Sequence, residues 1–372
     1  MKQILFVDDE PNVLDGLRVL LRKYRHEWSM EFALGGPQAL ALLADRAFDV
    51  VVTDLRMPGV DGLTLLKHLR EHHPQTIRIV LSGDPERTTA LAAVPHAHQS
   101  LTKPCRAGEL EGVLARASVL GALIGDPEVR AAIGRLDELP SLPATYARLV
   151  RVFEDEQSCT ADVAEVVGSD LAVTAKVLQL ANSAFFGSGR QVTSVAQAIP
   201  LMGWETVKTV TLTTELFAAR GMPATIRKFA GALHEHSSVV ALLASALVDE
   251  PDRREAFAAG MLHDVGRLVL ASIVPDEMKT TDAAGTQQTI HAKVGAYLLG
   301  LWGLPPAVIE AVARHHGPEL PSSSSSRVAE AVALAEHIAE ATTEDLCPTV
   351  EAVAEMQRVV RQHVRARSNE SS

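Results

Sequence analysis

The chain has 372 residues, a formal net charge of −11, 47% hydrophobic residues and only 4% aromatic residues. This length predicts two or three domains. The acidic balance argues against nonspecific binding to nucleic acid or to an anionic membrane. The three cysteines are widely separated, which argues against a disulfide framework. Because "MKQILFVDDEP" reaches acidic residues too early for a signal peptide and no apolar run is long enough to span a membrane, we expect a cytoplasmic protein.

Short apolar runs alternate with helical patterns in the first third of the chain. The runs end in ionisable or hydroxyl residues, namely Asp8 and Asp9, Asp54, Ser82 and Lys103. The helical patterns begin at Pro11 and then lie at about 36–46, 62–72, 85–92 and 106–118. This alternation predicts a parallel sheet with both faces covered. In such a sheet the functional groups gather beyond the carboxyl ends of the strands.

The residues at these strand ends are of the types needed to bind a cation and to accept a phosphoryl group. Asp8, Asp9 and Asp54 would repel one another without a cation, and a hard divalent ion such as Mg²⁺ fits their oxygen ligands. Asp54 can then act as a nucleophile toward a phosphoryl group and form an aspartyl phosphate. The Lys103 ammonium would pair with the phosphoryl charge, and the Ser82 hydroxyl would hydrogen-bond a phosphoryl oxygen.

On these residues, in "VDDE", "TDLRMPG", "LSG" and "KP", the segment 1–118 resembles a response-regulator receiver domain. The resemblance implies a flavodoxin-like α/β fold with a five-stranded parallel sheet, and phosphorylation of Asp54 by a partner histidine kinase. It also implies Mg²⁺ held by Asp9, Asp54 and the backbone carbonyl of Arg56, with Asp8 assisting. Ser100 stands where the family often has an aromatic residue, so the usual coupling between Ser82 and an aromatic ring is not expected.

From residue 139 onward, helical spacing of Leu, Ala and Val predicts an all-α domain. "LPSLPATYARL", "DLAVTAKVLQLANSAFFG", "VTSVAQAIPLMGWETVK" and "AFAAGMLHDVGRLVL" resemble the HDOD domain, an HD-related output domain. We expect a helical linker over 119–138, the all-α HDOD domain of HD-like type over 139–345, and a C-terminal helix and tail over 346–372.

The helical part also carries histidines and acids in an order that resembles metal-dependent relatives. HD phosphohydrolases use a His, a His-Asp pair and a distal Asp, and HD-GYP phosphodiesterases add a His and a later His-His pair. The matching positions are His236, His263, Asp264, His291, His315, His316 and Glu336. The resemblance implies a candidate site for Fe, Mn or Zn, with the His-Asp pair in the middle of a helix.

Two departures from that pattern argue against turnover, since Arg267 replaces a lysine and Glu336 replaces an aspartate. The Gly-Tyr-Pro element is also absent. The longer glutamate is expected to displace a ligand oxygen and to spoil a tuned site. His234 is the weakest candidate ligand because, two positions before His236, it lies on another face of the helix.

Two functions stay open. In the favoured one, a histidine kinase phosphorylates Asp54, and the HDOD domain relays the signal by contact with an unidentified downstream protein. The alternative is a phosphorylation-gated, metal-dependent phosphodiesterase of HD-GYP type that acts on a cyclic (di)nucleotide. A homodimer is compatible with both. A membrane partner is not expected, and DNA binding is disfavoured because no helix-turn-helix with a basic recognition face stands out.

Overall fold

The computed structural model describes residues 2–82, 96–103, 105, 107–124, 127–136, 148–149, 152, 158–182, 192–204, 206–207, 224–273, 286–316 and 326–342. The predicted helix at 85–92 and the predicted C-terminal helix and tail at 346–372 lie outside these residues. The chain forms two compact units, of which the first contains Met1–Asp137 and the second contains most of the later residues. Within the described part of the chain, no helix is both long and apolar enough to cross a bilayer.

The first unit is built on a five-stranded parallel sheet with the strand order β2-β1-β3-β4-β5. This order is the flavodoxin-like one, so the predicted fold class is confirmed. The strands are β1 (Lys2–Asp8), β2 (Trp28–Leu34), β3 (Val50–Thr53), β4 (Ile77–Ser82) and β5 (Gln99–Thr102). The helices of this unit are α1 (Pro11–Leu20), α2 (Gly36–Asp45), α3 (Gly62–His72), α4 (Ala107–Leu123) and α5 (Pro127–Gly134).

The central strands are buried because their side chains meet helices on both faces of the sheet. The run Ile4–Val7 in β1 and the three valines of β3 are almost fully buried. Leu65 and Leu69 of α3 pack into the same core as Leu5 and Val51. Strand β2 is less buried along its length, since it lies at the edge of the sheet. This partial burial explains why β2 gives no continuous apolar run in the sequence.

The segment expected as a helical linker contains the end of α4 and all of α5. Arg78 of β4, which is 2% exposed, ties α5 to the sheet. Its guanidinium donates hydrogen bonds to the carbonyl of Gly134 at 2.8 Å and to the carbonyl of His96 at 2.6 Å. Gly134 has no room for a side chain, because a Cβ there would lie 1.8 Å from the Pro74 carbonyl oxygen. Helix α5 is therefore part of the first compact unit.

The elements described in the second unit are all helices, as predicted. They are α6 (Thr160–Gly168), α7 (Leu171–Ala181), α8 (Val195–Met202), α9 (Ala224–Leu247), α10 (Arg253–Leu262), α11 (Val265–Ile273), α12 (Thr286–Leu301), α13 (Pro306–Arg314) and α14 (Arg327–Thr342). Helix α9 packs against α10 and α14, and α13 packs against the same two helices. A Cβ on Gly260 would come within 2.6 Å of Ala241 Cα, so this glycine lets α9 and α10 approach closely.

The His-Asp pair does not lie in the middle of a continuous helix, and that expectation is wrong. Helix α10 ends at Leu262 and α11 begins at Val265, so His263 and Asp264 occupy the turn between them. The His263 ring bonds back to the Gly260 carbonyl, through Nδ1 at 2.6 Å. The turn buries both side chains completely.

Candidate phosphoacceptor and metal sites

Three carboxylates and one ammonium meet at the carboxyl end of the receiver sheet. Asp8 closes β1, Asp54 follows β3 and Lys103 follows β5. Carboxylate oxygens of Asp8, Asp9 and Asp54 lie within 4.8 Å of one another. The Lys103 Nζ lies 2.6 Å from Asp8 Oδ2 and 3.4 Å from Asp54 Oδ2. The strand ends therefore bring together the acids that the sequence predicts as a cation site.

The charges of this group are set by burial and by ion pairing. Burial raises the pKa of the Asp54 carboxyl above its usual range, although the neighbouring Lys103 charge opposes this. Burial alone would lower the pKa of Lys103, but its hydrogen bond to Asp8 and the charge of Asp54 raise it overall. Lys103 thus stays an ammonium at neutral pH and is ready to pair with a phosphoryl group.

The other receiver residues named from the sequence lie around this group. Arg56 is exposed in the loop after β3, two residues beyond Asp54. Ser82 ends β4, and its side chain lies outside the described part of the chain. Gly62 holds the start of α3 against that loop, since a Cβ there would lie 2.0 Å from the Asp54 carbonyl oxygen. Burial raises the pKa of the Cys105 thiol to about 11, which makes this cysteine a poor nucleophile.

The second unit brings together all seven residues that the sequence selects for a second metal site. A first group joins α9, the turn before α11 and α14. In it, Glu336 Oε2 lies 2.9 Å from His236 Nε2 and 3.2 Å from His263 Nε2. The carboxylate of Glu336 therefore reaches the group in spite of its extra methylene.

A second group adjoins the first through Asp264. Its other members are His291 of α12 and the pair His315 and His316 that follows α13. Asp264 Oδ1 lies 3.0 Å from His291 Nε2 and 3.6 Å from His315 Nε2. The His291 Nε2 also lies 3.2 Å from His315 Nε2 and 3.1 Å from His316 Nε2. Three imidazole nitrogens and a carboxylate thus converge on one point.

Asp264 faces both groups, because its Oδ2 lies 3.6 Å from His263 Nε2 while its Oδ1 faces His291. Two imidazoles are oriented by backbone carbonyls at their far side. His263 Nδ1 donates to the Gly260 carbonyl, and His315 Nδ1 donates to the Val312 carbonyl at 2.7 Å. Each bond directs the Nε2 of its ring toward the carboxylates, which is the usual arrangement of metal-ligating histidines.

The protein alone leaves this cluster incompletely satisfied. Asp264 is completely buried, yet neither of its oxygens has a hydrogen-bond partner of good geometry among the described residues. Burying a carboxylate is costly unless positive charge pairs with it, and Arg267 Nε, 3.0 Å from Oδ1, faces only one of its two oxygens. The donor set of imidazole nitrogens and carboxylate oxygens suits Zn, Fe or Mn. The residues therefore fit a divalent metal centre.

The pKa shifts of the cluster follow from the same crowding of charges. Burial opposes protonation of His263, but the Asp264 and Glu336 carboxylates outweigh it and raise the pKa of His263 to about 9. Burial and the neighbouring His315 lower the pKa of His316 to about 3. Burial opposes ionisation of Glu336, but its hydrogen bonds to His236 and His263 lower its pKa well below the usual range. A proton on His263 thus partly neutralises the acids in the metal-free chain.

Two residues outside the predicted set also reach the cluster. The Arg267 Nε lies 3.0 Å from Asp264 Oδ1, so the guanidinium that replaces the family's lysine pairs with the central carboxylate. Glu340 forms a third group with His316 and Glu336. Its signal in the sequence is the spacing in "EHIAE", which puts Glu336 and Glu340 on one helix face. His234 is not in these groups, and its Nε2 lies 3.3 Å from Ser238 Oγ.

Family models match both parts of the chain. The response regulator receiver domain matches residues 4–115, and the HDOD domain matches residues 139–318. The chain is a response regulator that carries an HDOD domain. The sequence analysis places the end of the receiver domain at 118 and the start of the HDOD domain at 139, close to the limits of these two matches. The HDOD match ends at 318, whereas the predicted HDOD domain extends to 345.

Several known proteins resemble this response regulator over part of their length. An uncharacterized protein of Treponema pallidum is 26% identical over 198 residues, which are 49% of this chain and 38% of that protein. The response regulator protein PilR of Pseudomonas aeruginosa is 32% identical over 117 residues, which are 31% of this chain and 26% of PilR. Among solved structures, the MmoQ response regulator of Methylococcus capsulatus is 28% identical, with a TM-score of 0.48, covering 57% of this chain and 91% of MmoQ. The chain thus spans well under half of the two curated relatives.

Proposed function

We propose that a partner histidine kinase phosphorylates Asp54 and that the HDOD domain relays this event to a downstream protein by direct contact. The observation that carries the proposal is the pairing of Lys103 Nζ with both Asp8 and Asp54, at 2.6 and 3.4 Å, beside Asp9. The three acids would hold Mg²⁺, together with the Arg56 carbonyl, and Ser82 would bond a phosphoryl oxygen. When bound, Mg²⁺ neutralises charge on the phosphoryl oxygens.

The side chains of this site supply the remaining chemistry. An Asp54 oxygen attacks the phosphorus of the kinase phosphohistidine, and the P–N bond breaks with its electron pair returning to the imidazole. The Lys103 ammonium is held within reach by Asp8 and pairs with the new phosphoryl charge. Leu55 and Met57, on either side of Arg56, are both buried and anchor the loop that follows Asp54.

The test of phosphorylation uses acetyl phosphate with Mg²⁺ and intact mass spectrometry. We expect one added phosphoryl group on the full chain and none on Asp54→Asn. The matched control is Asp45→Asn, which changes an exposed carboxylate at the end of α2 and should leave labelling intact. Labelling of Asp54→Asn at the wild-type level would reject Asp54 as the acceptor.

The relay is tested on the same samples by amide hydrogen exchange. Phosphorylation of a two-state regulator shifts the populations of its conformations, so we expect exchange within the HDOD helices to change on acetyl phosphate treatment. Asp54→Asn should show no such change. If HDOD exchange is identical with and without the phosphoryl group, the relay by the helical domain is wrong.

A second candidate function is metal-dependent hydrolysis of a phosphodiester, with a cyclic (di)nucleotide as the substrate class. It is favoured by the convergence of five buried or half-buried histidines on the buried carboxylates of Asp264 and Glu336. Glu336, His236 and His263 would hold one cation, and Asp264, His291, His315 and His316 a second. When bound, the cations act as Lewis acids on a phosphoryl oxygen and lower the pKa of the attacking water.

The residues around this centre orient and protect it. The Gly260 and Val312 carbonyls hold two imidazoles in place, and Arg267 holds Asp264 from the half-exposed side. The test is hydrolysis of bis(p-nitrophenyl) phosphate and of cyclic nucleotides by Mn²⁺-loaded protein, beside Asp264→Asn and the control His234→Asn. Fully loaded protein that hydrolyses none of these substrates would exclude this second function.

A further inference from the structure

We infer that His68 and His72, near the carboxyl end of α3, form a surface binding site for a transition-metal cation of the zinc, nickel and copper class. Both residues belong to "HLREHHP", and their spacing of four places them one helical turn apart on the same face of α3. Neither the phosphoacceptor site nor the HDOD metal centre uses these residues. The inference therefore does not depend on the function proposed above.

The two imidazole rings lie side by side. The centroids of the His68 and His72 rings are 4.3 Å apart, and the ring planes differ by 20°. Metal–nitrogen bonds of about 2.0–2.1 Å bring two ligands of one ion to roughly 3–4 Å from each other. Rotation of the rings about their Cβ–Cγ bonds is therefore enough to direct one nitrogen from each ring at the same ion, and the helix backbone need not move.

A hydrogen bond sets the tautomer of His72 in the form that a metal ligand needs. The Nδ1 of His72 lies 3.1 Å from the His68 carbonyl oxygen. Because a carbonyl oxygen only accepts, Nδ1 carries the proton, and the lone pair of the neutral ring lies on Nε2. The same kind of bond to a backbone carbonyl orients ligating histidines in metal sites. His72 is exposed, so an ion can approach it from the solvent.

The surroundings keep the rings neutral, which is the form of histidine that binds metal. Burial and the neighbouring His72 lower the pKa of His68, and they outweigh the opposite effect of the Glu71 charge. Burial, His68 and His72 also lower the pKa of His73, whose ring centroid lies 5.9 Å from that of His68. His72 ends α3, where the helix dipole favours a positive charge. A bound cation therefore meets free lone pairs and a favourable dipole.

The backbone that carries the pair is held in place. Leu65, Leu66 and Leu69 of the same helix are completely buried. The His73 N–H donates to the Leu69 carbonyl at 2.8 Å, and the Thr76 N–H donates to the His73 carbonyl at 2.9 Å. Ligands on a rigid helix are already spaced for binding, so the entropic cost of binding is limited to the ordering of two side chains.

The ligand atoms select the class of metal. Imidazole nitrogens suit zinc, copper and nickel, whereas Mg²⁺ prefers oxygen ligands, so the ion at His68 and His72 is distinct from the receiver's Mg²⁺. Two protein ligands leave the other coordination positions to water. The ion at this site therefore dissociates more readily than an ion held by the larger ligand groups of the HDOD domain.

The first experiment is chromatography of the tag-free full chain on a resin that carries Ni²⁺ chelated by iminodiacetate. Immobilised Ni²⁺ contacts exposed histidines, so the buried histidines of the HDOD cluster do not contribute. We expect His72→Gln to elute at a several-fold lower imidazole concentration than the wild type. The matched control is His26→Gln, which changes an exposed histidine elsewhere in the first unit and should elute with the wild type.

Further variants distinguish a shared ion from independent surface histidines. If the pair chelates one ion, His68→Gln, His72→Gln and the double variant should elute together, since either ring alone is a single ligand. Equal elution of His72→Gln and the wild type would overturn the site. Additive decreases in the single and double variants, or an equal decrease in His26→Gln, would overturn it as well.

Calorimetric titration with Zn²⁺ in excess Mg²⁺ repeats the comparison in solution. Both single variants should lose the same class of sites, and the HDOD cluster contributes equally to every protein compared. Loss of this class in neither variant would reject the pair as a zinc site. Circular dichroism checks that each variant stays folded, which is expected because glutamine is a good helix former.

Discussion

Gly266 lies directly against the backbone of His291, because a Cβ on Gly266 would come within 1.9 Å of the His291 carbonyl oxygen and 2.8 Å of the Gly295 nitrogen. The missing side chain lets α11 cross α12 at backbone contact. This crossing carries His291 to Asp264, with 3.0 Å between His291 Nε2 and Asp264 Oδ1. A helix crossing thus determines the spacing of two proposed metal ligands.

Gly266→Ala should therefore damage the metal centre through the backbone. The added methyl group forces α11 and α12 apart, which costs about 1–3 kcal/mol of stability and moves His291 away from Asp264. Urea unfolding and metal analysis measure the two effects. Gly168→Ala is the control, since nothing lies within 4 Å of a Cβ at that glycine. An alanine variant at 266 with wild-type stability and full metal content would contradict the role of this crossing.

Removal of the central ligands should abolish metal binding by the HDOD domain. We expect purified wild-type protein to carry iron, manganese or zinc near stoichiometry, and the His263→Ala, Asp264→Ala variant to lose it. Because a ligand that binds only the folded state stabilises it, a chelator should lower the melting temperature of the wild type more than that of the variant.

The control for that loss is His234→Ala, which changes a histidine outside the cluster and should keep its metal. Elemental analysis gives the metal content, and thermal unfolding with and without EDTA gives the stabilisation. Absence of metal from both the wild type and the double variant, with equal melting temperatures, would make the cluster a retained element of the fold.

Lys103→Met should tighten Mg²⁺ binding to the receiver domain. The Lys103 ammonium now occupies part of the negative field of Asp8 and Asp54, and a cation must compete with it. We expect a several-fold lower dissociation constant by calorimetry, together with slower labelling by acetyl phosphate because the phosphoryl charge loses its partner. Lys67→Met, at an exposed position of α3, should change neither quantity. Weaker Mg²⁺ binding by Lys103→Met would show that the ammonium organises the acids and does not compete with the ion.

The first unit should lose stability in mild acid through His98. Burial, and then the Arg78 charge, lower the pKa of His98 well below its usual value of about 6.5. Below about pH 6.5 the His98 ring therefore binds a proton in the unfolded chain but not in the folded chain. The free energy of unfolding is highest above about pH 6.5 and decreases as the pH falls below that value. The slope is at most about 1.4 kcal/mol per pH unit for one proton.

Urea unfolding at pH 7.5 and pH 5.5 measures this dependence. His98→Gln removes the titrating ring and can still offer an acceptor to the Arg78 backbone N–H, which the His98 Nδ1 accepts at 3.0 Å. The variant should lose less stability than the wild type between the two pH values. An equal loss would assign the acid sensitivity to other groups, such as His68 and His73, whose pKa values burial also lowers.

The receiver site was predictable because each of its residues stands at the end of a short apolar run. Parallel strands bring such ends to one edge, so Asp54 and Lys103 could be placed together from the sequence. Strand β2 was not singled out, since partial burial at the edge of the sheet gives residues such as Glu31 no apolar pattern.

The HDOD cluster was predictable as a set of residues and not as a geometry. A hundred positions separate His236 from Glu336, and spacing over such a distance says nothing about contact. The break at His263 depends on a ring-to-carbonyl hydrogen bond, and the crossing at Gly266 depends on backbone contact between two helices. Neither leaves a local sequence pattern. For Glu340 the sequence shows only its spacing from Glu336. That Glu340 belongs to a group of possible ligands depends on His316 lying near both glutamates in the fold.

The anchoring of α5 by Arg78 has a consequence for the smallest piece of this protein that can fold alone. A fragment cut at residue 118 would lose the Gly134 carbonyl and leave a buried guanidinium short of an acceptor, at a cost of about 1–3 kcal/mol. The autonomous folding unit therefore ends after α5, beyond the last residue of the receiver match at 115. The receiver keeps part of the connection to the HDOD domain as its own tail.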